Sequence, residues 1–151
     1  SWPNSNSGAN LGTTYRIPDP DNADDIVGNA QYVVWVQNRG HGSFNLLLGK
    51  ASDVKTEAEP TQLVRGGHEL KEFLFDANQS RIFYGTDYGI MRRDLASDAM
   101  RRITGSRKLD KLLDFSSNSQ LLLLQRNGDC DSAPSTKTSA VNLCLFKLSA
   151  P

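Results

Sequence analysis

The segments FDANQSRIFYG (75–85) and FSSNSQLLLLQ (115–125) are copies of one another at a spacing of 40 residues. Phe75 stands against Phe115 and Ile82 against Leu122. In each copy an apolar strand ends at Phe, a polar turn follows, and a second apolar strand begins. IVGNAQYVVWV (26–36) is a weaker first copy with a shorter turn. A later strand repeats as LLLGKASD (46–53), IMRRDLASD (90–98) and LCLFKLSA (143–150). A further one repeats as TQLVRGG (61–67) and MRRITGS (100–106), with Leu63 and Ile103 again 40 apart. Three strand positions thus recur in the same order. A fixed period of this length means that each repeat is one supersecondary unit, which buries its faces only against its neighbours.

The runs themselves read as strands. QYVVWV, FNLLL, KEFLF, RIFYG, LLDF, QLLLLQ and VNLCLFKL are short and rich in β-branched or aromatic residues, with Gly-, Asn- and Asp-containing turns between them. LASDAMRRI (95–103) is the one helical candidate, and it is too short to form a helix alone. Four strands per 40 residues predict an all-β chain of about three antiparallel, four-stranded, propeller-like blades, with a plain β-sandwich as the alternative. A closed propeller has four to eight blades, so the set is incomplete.

FDANQSRIFYGTDYGIMRRDLASDAMRRIT and DFSSNSQLLLLQRNG resemble the repeats of TolB-type propellers. Phe75 and Phe115 match the first aromatic of that repeat, and Asp94-Leu95 and Ile103-Thr104 match its later positions. The usual Pro-Asp-Gly turn is replaced by Ala77-Asn78-Gln79 and by Ser117-Asn118-Ser119. The resemblance is to a repeat type and spans 26–150. Similar short segments form the outer domains of membrane-anchored bacterial transcription regulators, so the resemblance implies an extracytoplasmic domain.

Residues 1–25 predict a polar linker, with Trp2, Pro3, Pro18 and Pro20 among Asn, Ser, Gly and Asp. The repeat domain is then 26–151, with order beginning near Ile26. The longest apolar run, Leu121 to Leu124, is far short of the roughly 20 residues of a membrane span. The first residue is Ser1, and the chain reads as a processed product or a piece of something longer. The 17 basic and 17 acidic side chains cancel, which argues against a dedicated nucleic-acid domain. Cys130 and Cys144 lack any Cys/His ligand spacing around them, and the polar, turn-rich excursion between them predicts a disulfide. That bond implies a periplasmic or extracellular home.

His41 (RGHGS) and His68 (RGGHE) lie in turns, and no GxSxG elbow accompanies them. HELKE (68–72) lacks the second His of a zinc-protease helix. DPDNADD (19–25) has Asp24 where a calcium loop needs Gly and Ala30 where it needs Glu. No phosphate-binding or dinucleotide loop is present, and no catalytic residue, metal or cofactor is expected. The aromatics Tyr32, Trp35, Phe73, Phe75, Phe83, Tyr84 and Phe115 predict inter-blade core.

Between residues 92 and 111, seven basic side chains meet three acidic ones. Arg92, Arg93, Arg101 and Arg102, with Tyr88 in the TDYG turn, are the candidate binding residues. The function expected is a non-catalytic sensor or protein-interaction domain of a membrane-anchored regulator. The alternatives are a fragment of the propeller of a prolyl-oligopeptidase-like serine peptidase, or a TolB-like periplasmic scaffold. The expected partner is another protein or a second copy. It should meet an open end face carrying Val34, Leu46 and Leu48 in the first repeat, or Leu145 and Leu148 in the last.

Overall fold

Short apolar runs closed by tight turns pair most readily with their neighbours in sequence, because little loop entropy is lost in bringing them together. The computed structural model follows this rule throughout. It describes residues 17, 20–41, 43–50, 59–67, 73–130 and 140–148, among which eleven strands, one 3-10 turn (Pro20–Asn22) and no α-helix occur. β1 (Ala23–Gly28), β2 (Tyr32–Asn38), β3 (Phe44–Lys50) and β4 (Thr61–Gly67) form sheet A in sequence order. β5 (Phe73–Asp76), β6 (Arg81–Thr86), β7 (Gly89–Asp94) and β8 (Met100–Arg102) form sheet B in the same way. Sheet C has β9 (Lys111–Ser116), β10 (Leu121–Asn127) and β11 (Val141–Lys147). Every neighbouring pair is antiparallel. The chain divides into two compact units, residues 1–68 with sheet A and residues 69–151 with sheets B and C.

In the first unit β2 and β3 are the central strands. Val34, Trp35 and Val36 of β2 and Leu46, Leu47 and Leu48 of β3 are all buried. Successive side chains of a strand point to opposite faces, so both faces of this sheet centre are covered. The expectation that Val34, Leu46 and Leu48 mark an open face is therefore corrected. Both triplets are continuous apolar runs, which is what a strand buried on two faces requires. Strand pairing begins at Ala23, with Ala23 opposite Gln37, three residues before the expected start of order. β1 is a solvent-facing edge whose ladder bonds come from the backbone, so its Asp24 and Asp25 are no obstacle. Asp25, at φ 51°, lies at the register shift between Asp24 and Val27. The remainder of the predicted linker lies largely outside the described residues.

In the second unit the 40-residue repeat is a repeat of register. Phe75 pairs with Ile82 and Phe115 with Leu122. The two turns end at Ser80 (φ 48°) and Gln120 (φ 55°), both left-handed. Each of these carbonyls accepts a backbone N–H from the strand end that follows, Leu95 to Ser80 at 2.9 Å and Leu148 to Gln120 at 2.7 Å. The helical candidate at 95–103 is instead a turn at 95–97 leading into β8. Gly89 (φ 123°) closes the β6–β7 turn so tightly that a Cβ there would lie 2.7 Å from Ser106 Oγ and 2.9 Å from its carbonyl oxygen.

Sheets B and C pack face to face and meet chiefly through their first strands, β5 and β9. Phe83, Ile90, Leu112, Leu122, Leu124 and Leu148 form the core between them, flanked by Leu74, Ile103, Phe115 and Phe146. Leu148, expected on an open face, belongs to this core, because its backbone bond to Gln120 holds it against the sheet. The rings of Phe83 and Phe115 lie 5.9 Å apart and tilted by 43°. Of the predicted core aromatics, Trp35, Phe83 and Tyr84 are fully buried, and Tyr32, Phe73, Phe75 and Phe115 are half-buried.

Candidate interaction surface

The predicted basic cluster does not form one patch, because alternation along β7 sends its arginines to opposite faces. Arg92 is buried and donates from Nε and Nη2 to the two carboxylate oxygens of Asp94, both at 3.1 Å. Arg93, on the other face, donates to Asp98 Oδ1 at 3.0 and 2.6 Å. Arg102 closes the adjoining turns, donating to the carbonyls of Tyr88 at 2.7 Å and Ser106 at 2.6 Å. Arg101 is exposed on β8, and Tyr88 is 81% exposed at the tip of the β6–β7 turn. Of the five candidates, Arg101 and Tyr88 keep free side-chain surface, while Arg92, Arg93 and Arg102 are engaged in holding β7, β8 and the turns around them. His41 sits exposed in the β2–β3 turn at φ 54°, and His68 lies outside the described residues.

Arg93 also faces Tyr84, a buried residue whose Oη lies 3.2 Å from Met100 Sδ. Burial pushes the Tyr84 phenol above its ordinary value of 10.0, against the pull of Arg93. A raised value in the folded state means that the native protein holds this proton more tightly than the unfolded chain. The associated stability is complete below the unfolded value of about 10 and is lost as pH rises beyond it. Urea unfolding midpoints measured across this alkaline range should therefore fall less steeply for Tyr84→Phe than for the wild type. Equal slopes would show that the phenol ionises freely in the native state.

One cleft of about 290 Å³ opens within the second unit, lined by Ile90, Lys108, Leu109, Lys111, Leu112 and Gln125 among others. Its carboxylate, Asp110, is committed to Arg126 through bonds of 2.8 Å from Nε and 2.7 Å from Nη2. Arg126 Nη1 and Nη2 also donate to the carbonyls of Cys130 and Gly105, each at 2.8 Å. The pair is a structural tie between β10 and two loops.

The exposed feature that stands out is the outer face of sheet C. Along β10, Leu122, Leu124 and Arg126 turn inward and Leu121, Leu123 and Gln125 turn outward. Along β11, Cys144 is buried while Val141, Leu143 and Leu145 are 59%, 66% and 63% exposed. Leu123 pairs with Leu145, and Gln125 with Leu143, so these side chains share one face. β11 is also the sheet's terminal strand: its far edge has no partner among the described residues, where β3 and β7 each have a fourth strand. A row of apolar side chains on an open strand edge is a feature that natural sheets avoid unless it is used.

The disulfide holds this strand in place. Cys130 and Cys144 are bonded, with Cα atoms 5.5 Å apart, as their spacing predicted. The intact protein should be two hydrogens lighter than its reduced form by mass spectrometry. Reduction, or the Cys130→Ala/Cys144→Ala pair, should cost about 3 kcal/mol of stability for a loop of this size. The loss should show first as faster amide exchange in β11.

Among the described residues no three His, Cys, Asp or Glu side chains are grouped to hold a metal, and no helix is long and apolar enough to cross a membrane. Comparison with protein-family models, with curated proteins and with solved structures finds no match.

Proposed function

We propose that this chain is a non-catalytic, extracytoplasmic protein-interaction or sensor domain of a membrane-anchored regulator, built from propeller-type blades. The outer face of sheet C carries the reading: Val141, Leu143 and Leu145 are exposed on β11, the edge strand of this sheet among the described residues. The Cys130–Cys144 bond supports an oxidising compartment such as the periplasm or the cell exterior. The repeat register shared by sheets B and C, and their stacking through first strands, support the blade description. The cleft is lined by Lys108, Lys111 and one carboxylate, Asp110, which is paired with Arg126. The membrane anchor and the regulatory setting rest on the resemblance to TolB-type repeats alone.

A photo-crosslinking residue placed at position 145, with position 101 on β8 as the control, tests this reading in cells that export the protein. An adduct with another protein chain at 145 and none at 101 is the result expected. No adduct at 145 would remove sheet C from the function.

A further inference from the structure

The bare face of sheet C stands, by register, where sheet B is covered. In sheet B, Gly85 pairs with Ile90 and Phe83 with Arg92, and this face carries Phe83 and Ile90 into the core against sheet C. Forty residues on, Gln125 pairs with Leu143 and Leu123 with Leu145. The position held in sheet B by Arg92, neutralised by Asp94, is held in sheet C by an exposed leucine. The outer face of sheet C is thus built as a face for another sheet to cover.

Resting on the reading that this face is the working surface, we propose that it docks on the same face of a second copy of this chain, forming a weak twofold dimer. The face is complementary to itself about an axis that crosses the strands at the level of Cys144. Such an axis sets Leu145 over the partner's Leu143, and reciprocally. On β9, Asp114 stands beside Leu123 and Lys111 beside Gln125. The same operation therefore sets Asp114 over the partner's Lys111, twice in the dimer. No like charges meet, since Lys147 falls over the partner's Val141. An axis running along the strands would instead set Leu145 over a carboxylate, Asp114, and is disfavoured for that reason. Closed, self-complementary contacts of this kind are the commonest form of protein association.

The size of the face sets the strength. Three strands about 4.8 Å apart and about 23 Å long offer roughly 300 Å². Stable interfaces bury about 800 Å² per partner. The dimer should therefore form only at high concentration, and salt should weaken it through the reciprocal charge pairs.

Sedimentation velocity from about 10 μM to 1 mM, the range in which weak complexes dissociate, tests the proposal, with circular dichroism confirming that each variant is folded. The wild type should dimerise toward the upper end, and Leu145→Lys should weaken association at least ~10-fold, a step of about 1.4 kcal/mol. Asp114→Lys should weaken it too, and the double variant Asp114→Lys/Lys111→Asp should restore it, because the swap re-forms both cross-pairs. A dimer indifferent to Asp114→Lys would overturn the face-to-face arrangement, since edge pairing through β11 leaves β9 two strands away. A monomer at every concentration would overturn the dimer. If position 145 still crosslinks to a different protein in that case, the interaction surface stands and only the second copy falls.

Discussion

Arg126→Ala is expected to remove about 3–5 kcal/mol of folding stability, the range for breaking a buried ion pair from one side. Arg126 and Asp110 are each 2% exposed in their side chains and bonded at 2.7 Å. Truncating the arginine leaves the buried carboxylate without its cation and with only the backbone N–H of Arg107, 2.7 Å from Oδ2, as a donor. It also frees the carbonyls of Gly105 and Cys130, so the loop before β9 and the segment after β10 lose their common anchor. The guanidinium further lies over the ring of Phe146, 5.3 Å from its centroid, and that contact goes as well. Asp110→Ala should cost a similar amount for the mirror-image reason. The double change Arg126→Met/Asp110→Leu should recover much of the loss, because an apolar pair of similar volume removes the stranded charge. Urea unfolding followed by far-ultraviolet circular dichroism measures all three. A loss below about 1 kcal/mol for Arg126→Ala would place the pair in the class of solvent-exposed bridges.

Phe83→Ala should be comparably severe, about 3–5 kcal/mol by the cost of emptying a large aromatic site in a packed core. The ring is wholly buried between sheets B and C. It touches Phe115 of the facing sheet, and the Arg81 guanidinium lies 5.3 Å from its centroid. Arg81 in turn holds Asp76 through Nε and Gln120 through Nη1, both at 2.9 Å, bridging the turns of the two sheets. A cavity at residue 83 therefore loosens both the apolar contact and the polar bridge beside it. Phe83→Leu, closer in volume, should cost less than half as much. Leu143→Ala, at an exposed position, should cost no more than about 0.5 kcal/mol. The distribution of amide exchange is diagnostic: in Phe83→Ala, protection should fall in β9 and β10 as well as β6. A change confined to β6 would mean that the sheets do not depend on one another.

Much of the local structure was legible in the sequence. The 40-residue spacing aligned Phe75 with Phe115 and Ile82 with Leu122, and these residues hold the same register in their two hairpins, because a hairpin is determined by its turn and by the few residues on either side. The polar excursion between Cys130 and Cys144 named the disulfide for the same reason: its ends return to one another along adjacent antiparallel segments. Tyr88 and His41 are exposed because turn tips have little to pack on. LASDAMRRI was ambiguous, since nine residues carry too few turns of either period to decide, and pairing with β7 decided it.

Burial was another matter. Val34-Trp35-Val36 and Leu121-Leu122-Leu123-Leu124 are both unbroken apolar runs, yet the first is buried on both faces, whereas in the second Leu122 and Leu124 are buried and Leu121 and Leu123, on the outer face, are half-buried. Arg92, by sequence a candidate binding residue, is buried, because Asp94, two residues on and on the same face of β7, neutralises it. Arg126 and Asp110 are 16 residues apart, with a strand and a turn between them, and no local pattern joins them. Backbone pairing, turn geometry and the closing of one short loop were determined by the sequence alone, because each involves neighbours along the chain. Which faces are covered, which charges are paired inside, and the leucine face left open on sheet C were decided only by the tertiary structure, because burial depends on what distant segments bring to the other side.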